Sequence, residues 1–505
     1  EAYNVAIGDL AGKSVTTGTH NTLIGGLAGD ALTTGLNNVA MGAGALGSED
    51  TGSSNVAIGS NALNTLNFDG NGYNTAVGHN AGVLMTTGTR NVLVGGLAGD
   101  ALTTGSQSTF IGYQAGGATT DQSYNTAIGD SALSTNVNGA RNVAIGNAAL
   151  ATMNPSGDSD TYNVAIGYDA GTAVTTGIKN TLVGGLAGDA LNGGGNNVAI
   201  GYAALSTEDG HSANVAVGYQ ALTSQNAGSD AYNVAVGYNA GVAVTTGNKN
   251  TFLGGEAAQT NTVGYKNTAL GFQALTSNAD GSNNVAVGYR ALLSMDPASA
   301  TETYNVAVGY DAGLYVSTGI QNTLIGGLAG DALTEGGNNV ALGYKSLSAT
   351  TVGTDNIAIG KDALETNVNG SASIAIGSLA LEDQAPSGAG NMYNIGIGHW
   401  AGKNITTGTN NTIVGGLAGD ALTTGSNNVA LGYNALSTED AHGRNIAIGT
   451  NALTNLDAGT DAYNVAIGHN AGLSVTTGTA NTIIGGLAGD ALTTGADNVV
   501  LGYNA

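Results

Sequence analysis

The sequence predicts an all-β fold, a parallel β-solenoid of about 29 coils that runs through residues 1–505 as one continuous array. Three observations predict it. A short core, Asn-(Val/Thr)-(Ala/Leu)-(Ile/Val)-Gly, starts 29 times along the chain. Of the 28 spacings between starts, 22 are 17 residues, three are 19 and three are 21. The core alternates as a strand of four or five residues does, and Gly closes it. A 17-residue unit is too short for a helical hairpin repeat and lacks the leucine spacing of a leucine-rich repeat. Strand, turn, short strand, turn then makes one coil. Coils stacked about 4.8 Å apart would give a rod on the order of 140 Å long.

Composition agrees with this and excludes other classes. The chain has 85 Gly but only 3 Pro, and no triplet period, so it is not collagen. Disorder is not expected of a chain that is 42% hydrophobic and rich in Val, Ile and Thr. No window of 18 apolar residues exists, so no membrane span is expected. The net charge of −24, without a Lys/Arg cluster, argues against nucleic acid and against anionic membrane surfaces. The absence of Cys excludes disulfide frameworks and thiolate metal sites.

Each position of the unit, counted from Asn as 1, has its own logic. Asn fills position 1 in 27 of 29 units, with Ser108 and Ser373 as the exceptions, so Asn4, Asn21, Asn38, Asn55 and their successors should stack as an amide ladder along the axis. Gly fills position 5 in all 29 units, beginning with Gly8, Gly25, Gly42 and Gly59. A positive φ, or close approach to the next strand, is the expected cause. Strand parity puts positions 2 and 4 on one face and position 3 on the other. Positions 2 and 4, occupied by Val, Ile, Thr, Leu or Met, are assigned to the core. Position 3, as at Ala6, Leu23, Ala40 and Ala57, then forms an outward apolar stripe, which should not face water. The expectation is that it meets other copies of the chain in a closed symmetric bundle. Burial in a single-chain core of different cross-section is the alternative.

Position 8 is Ala in 28 units, Ser346 being the exception. Position 9 is Gly in 14 units and Leu in 13. With Gly there, position 12 is apolar in 13 of 14 units; with Leu, it is mostly polar, as at Glu49, Asn136, Glu208 and Asn367. Positions 9 and 12 are therefore expected to share one core volume, overpacked if both are large. Above the coil lies a longer period. Tyr precedes the core at Tyr3, Tyr73, Tyr162, Tyr232, Tyr304, Tyr393 and Tyr463, and each insertion falls just before one of these.

Repeats such as Asn55-Val56-Ala57-Ile58-Gly59-Ser60-Asn61-Ala62 and Asn142-Val143-Ala144-Ile145-Gly146-Asn147-Ala148-Ala149 resemble the head repeats of YadA-like trimeric autotransporter adhesins. Related arrays occur in bacteriophage tail fibres. The resemblance covers all 505 residues, although this unit is longer than the typical head repeat and no coiled-coil stalk or membrane anchor is present in it. It implies a left-handed parallel β-roll, a homotrimer around one axis, and a role in surface attachment.

Near-identical repeats offer no unique constellation for catalysis, so no enzyme activity is expected. His20, His79, His211, His399, His442 and His469 are read as solvated surface residues. The segment Gly-Gly-Leu-Ala-Gly-Asp-Ala, which places Asp30, Asp100, Asp189, Asp331, Asp420 and Asp490, is superficially like a calcium-binding nonapeptide. Its Asp recurs only every four or five coils, so a turn-capping role is preferred. Thus no cofactor is expected, with weak surface calcium binding at pairs such as Glu49-Asp50 and Glu439-Asp440 kept as an alternative. Thr pairs such as Thr16-Thr17 lapse after two coils and make an ice-binding array remote. Aromatic residues on consecutive coils are the candidate glycan or partner surface: Tyr202, Tyr219 and Tyr238, then Phe272, Tyr289 and Tyr310. Such ladders also stack on one another as structural pairs.

The expected protein is a non-enzymatic, extracellular fibre, displayed on a cell or virion surface, that self-associates as a homotrimer and contacts a cell-surface or glycan ligand. A bacteriophage tail-fibre shaft, or a glycan-binding module that uses the Tyr ladders, is the alternative. No polar cap closes either end, so a longer array with end-to-end assembly is expected.

Overall fold

In the computed structural model, which describes residues 2–505, the chain divides into two compact units, Glu1–Asn250 and Thr251–Ala505. Each is a parallel β-solenoid built on the 17-residue repeat. The first holds 14 three-residue strands, from Val5–Ile7 to Val234–Val236, and the second holds 15, from Thr251–Leu253 to Val499–Leu501. Strands occupy positions 2 to 4 and pair in parallel with their counterparts one coil on: Val5 with Thr22, Ala6 with Leu23, Ile7 with Ile24. Among the described residues there is no α-helix.

The alternation along each strand is as expected, but the two faces are exchanged. Position 3 lies inside: Leu23 is 1% exposed, and Ala40 and Ala57 are fully buried. Positions 2 and 4 lie outside, with Met41 at 37% and Leu253 at 46%. The proposed outward stripe of Leu23, Ala40 and Ala57 is therefore core of the chain itself and is closed to another copy. Ala6 is exposed because it belongs to the first coil. The cause is the width of the coil. Its interior is shared with the buried Ala at position 8 and the side chains at positions 9 and 12, which leaves room for one row of mostly small residues. Two rows of β-branched residues do not fit and cover the outside instead.

Volume is also conserved differently from the expectation. Leu63 with Leu66, Leu150 with Met153, Leu292 with Met295 and Leu453 with Leu456 place large side chains at positions 9 and 12 of one coil, all fully buried. The residue that trades with position 9 is instead the one at position 3. A methyl group at Gly12 would stand 2.6 Å from Leu23 Cδ1, and one at Gly29 would stand 2.8 Å from Leu23 Cδ2. Two successive glycines thus hold one Leu side chain, and Leu182 lies in the same way between Gly171 and Gly188. Where position 9 is Leu, as at Leu46 and Leu63, position 3 is Ala (Ala40, Ala57). These leucines have φ near +50°, the left-handed conformation shared with the glycines they replace.

Position 5 shows both reasons for its Gly. Gly25 has φ +130°, and a Cβ there would stand 2.6 Å from the carbonyl oxygen of Gly42. At position 1 the ladder runs along the axis, but through the main chain. Asn4 Oδ1 accepts the backbone N–H of Asn21 at 2.8 Å, Asn21 Oδ1 that of Asn38 at 2.9 Å, and Asn38 Oδ1 that of Asn55 at 2.9 Å. Their Nδ2 groups donate to the carbonyls of Gly18, Gly35 and Gly52 at 2.7–2.9 Å. Each of these side chains satisfies an amide of the next coil and a turn of its own, so both the oxygen and the nitrogen of the buried amide find a partner.

The insertions build on this frame without breaking it. Each four-residue insertion adds a pair of two-residue parallel strands: Gly139–Ala140 with Ser159–Asp160, Gly281–Ser282 with Thr301–Glu302, and Gly370–Ser371 with Gly390–Asn391. The two-residue insertion before Asn74 makes a single bridge, Ser53 to Asn71.

Candidate functional surfaces

Three kinds of side chain face outward at fixed phases. The first is the apolar row at positions 2 and 4, where Ile166 and Ile200 are each 38% exposed and the intervening Val183 is half-buried. The second is the aromatic row at position 6. In the first unit Tyr202, Tyr219 and Tyr238 stack with ring centroids 5.6 and 5.4 Å apart and planes within 17°. In the second unit Phe272, Tyr289 and Tyr310 stack at 5.8 and 5.4 Å. All six rings are exposed, yet their faces are turned to one another, so mainly edges and hydroxyls are offered outward. Arg290 lies 5.0 Å over the Tyr289 ring and is paired bidentately with Asp311 at 2.6 and 2.9 Å. Gly185 lies beneath Tyr202 and Gly327 beneath Tyr344, and a Cβ on either would reach the ring at 3.6 Å.

The third kind is acidic. Burial pushes the carboxyl groups of Asp100, Asp189, Asp331 and Asp420 above the usual range, while amides of each Asp and its successor pull the other way for Asp100, Asp189 and Asp331. Asp30 instead pairs with Lys13 at 2.8 Å. A groove of about 330 Å³ beside Asp100 is lined by Gln114, Gly117, Ala118, Ser134 and Thr135.

Position 12 is interior even where it is polar, and at several coils the turn that follows it supplies the partners. Asn136 accepts the Gly139 N–H at 2.9 Å and donates to its carbonyl at 2.7 Å; Asn278 and Asn367 do the same with Gly281 and Gly370. Glu49, Glu208 and Glu439 occupy this position as buried carboxyls. Burial raises Glu49 to about 7 against the amides of Gly52 and Phe68, and it raises Glu439 as well. Around two of them the coil assembles clusters: Glu208, Asp209 and His211 in the first unit, and Glu439, Asp440, His442 and Asp457 in the second. Within each cluster one donor atom per residue lies within 4.8 Å of the others.

Sequence reasoning placed Glu439-Asp440 in a loop and His211 and His442 on the surface, and so missed both clusters. The signal was present in the segment Thr-Glu-Asp-x-His, which occurs at 207–211 and 438–442 and puts His where most coils have Gly. No protein-family model matches the chain, and no curated protein matches it.

Proposed function

We propose that the chain is a non-enzymatic structural and adhesive fibre that acts outside the cell, with copies associated as a homotrimer of the kind suggested by the likeness to YadA-like head repeats. One observation carries this reading: the same coil is repeated with Val, Ile, Leu and Thr held on its outer face at positions 2 and 4. Continuous rows of half-exposed aliphatic side chains are costly in water and are the kind of surface that other copies cover. These rows replace the position 3 stripe as the surface of association. The aromatic ladders at Tyr202, Tyr219 and Tyr238 and at Phe272, Tyr289 and Tyr310 add edges and hydroxyls for contact with a glycan or a cell-surface partner.

Light scattering on the soluble chain tests the proposal. The expected mass is three times 49.2 kDa, and the double variant Ile166→Lys/Ile200→Lys is expected to lower it by placing two charges in the contact. A wild-type mass of one chain, or a mass indifferent to the two lysines, would count against association through this face.

A further inference from the structure

The two Glu–Asp–His clusters differ from the position 12 turns at Glu49, Asn136, Asn278 and Asn367 in what they leave unpaired. Glu49 supplies the comparison. Its Oε1 accepts the Gly52 N–H at 2.6 Å and its Oε2 accepts the Phe68 N–H at 3.3 Å, so both oxygens are satisfied. Glu208 and Glu439 use Oε1 in the same way, accepting the N–H of His211 at 3.2 Å and of His442 at 3.1 Å. Their Oε2 atoms have no hydrogen-bond partner, although both side chains are 0% exposed. Asp189, Asp331 and Asp420 also leave one buried carboxylate oxygen without a donor, but at Glu208 and Glu439 a histidine nitrogen lies within reach of the same carboxylate.

A second orphan points to the same place. His442 Nδ1 is buried and lies 3.3 Å from Glu439 Oε1, without the alignment of a hydrogen bond. His211 Nδ1 lies 2.7 Å from Glu208 Oε1 and 3.9 Å from Asp209 Oδ1. Imidazole nitrogens and carboxylate oxygens thus converge on one point at the same phase of the coil in two separate units.

We infer that each cluster is a binding site for a divalent transition-metal ion, with Zn²⁺ the best match. The donor set is one imidazole nitrogen with two carboxylates at Glu208, Asp209 and His211, and with three at Glu439, Asp440, His442 and Asp457. Mixed N/O donors in threes and fours suit Zn²⁺, whereas Ca²⁺ takes six to eight oxygens and gains nothing from imidazole. At the Glu439 site a bound ion would take up the free Oε2 and the free Nδ1 together; at the Glu208 site it would take up the free Oε2 and replace the 2.7 Å contact of His211 Nδ1 with Glu208 Oε1. Asp457 comes from the following coil, where the first unit has Asn226 at the equivalent position. The Glu439 site therefore has one more charged donor, ties two coils together, and should bind more tightly. The site stands whether or not the chain forms fibres.

Titration of the metal-free, full-length chain with Zn²⁺ by calorimetry tests this. Two equivalents are expected, the tighter lost in His442→Gln and the weaker in His211→Gln, with both retained in Glu49→Gln. Asp457→Asn, an exposed-loop change that leaves the buried Glu and the His in place, should weaken the tighter site at least about tenfold, since even outer-shell changes cost that much. Zn²⁺ should also raise the melting temperature of the wild type and not that of His211→Gln/His442→Gln, which separates metal binding from any change in folding. Unaltered Zn²⁺ uptake by that double variant, or displacement of Zn²⁺ by a modest excess of Ca²⁺, would overturn the assignment.

Discussion

Two neighbouring glycines show how differently one residue type is used in this coil. Gly25 sits at position 5 with φ +130°, and a methyl group there would meet the Gly42 carbonyl at 2.6 Å, closer than any real Cβ contact. The obstacle is backbone of the next coil, which cannot rotate away, and the φ itself is strained for any other residue. Gly26, one residue on, has no atom nearer than 4.0 Å to such a methyl and no positive φ. Gly25→Ala should therefore lower stability by about 3 kcal/mol or more, since it combines a steric clash with a disallowed backbone. Gly26→Ala should be neutral or slightly stabilising through the unfolded chain. Thermal melts of the two variants side by side check this, and equal melting temperatures would remove the close-approach explanation for position 5.

At the scale of one coil, the quantity conserved is interior volume, and position 3 shares it with position 9. Gly29→Leu would push a side chain into Leu23, which already fills the space between Gly12 and Gly29. Overpacking of this kind costs about 1–3 kcal/mol. Leu23→Ala alone leaves a cavity and should cost about 2–5 kcal/mol. The pair together rebuilds the arrangement found at Ala40 with Leu46, so Leu23→Ala/Gly29→Leu should be more stable than the sum of its parts. Melting curves for the three variants give the coupling directly, and strict additivity would contradict it. The coil was readable from the sequence to this level because period, Gly at position 5 and Ala at position 8 each repeat without ambiguity. The choice of face was not readable. A three-residue strand with apolar residues on both sides has parity but no polar row to mark the outside, so only the width of the finished coil decides which way Leu23 points. Similarly, Glu208 was legible as a polar position 12 and Glu439 as a loop residue. Their burial was not legible, because it depends on the neighbouring coil.

Across the whole molecule, buried acids set the response to pH. Glu49, Asp100, Asp189, Asp331, Glu382, Asp420 and Glu439 are all raised, and burial is the leading cause for each. Glu302 moves the other way, lowered by the hydroxyls of Tyr304 and Tyr265. For a raised acid the folded chain keeps its proton at a pH where the unfolded chain has released it. The unfolded state then binds fewer protons, so stability falls as pH rises through that window and is constant on either side. For Glu49 the window runs from its ordinary 4.5 to about 7, and the loss across it is about 3 kcal/mol. The net charge of −24 acts in the same direction, because self-repulsion grows as the remaining carboxyls ionise. Glu302 opposes this only at lower pH, where its ionised form begins to be lost. Acidification from about pH 8 to about pH 5 should therefore raise the melting temperature, the reverse of acid denaturation driven by paired carboxylates. In a repeat whose coils contact only their neighbours, each raised acid acts on its own stretch of chain. Glu49→Gln should accordingly flatten the pH dependence of amide exchange around Gly52 and Phe68, the two amides its carboxyl accepts, and leave exchange at distant coils unchanged. Melting temperatures that stay level or fall on acidification, or a Glu49→Gln variant with the wild-type local pH profile, would show that these carboxyls ionise as freely in the folded chain as in the unfolded one.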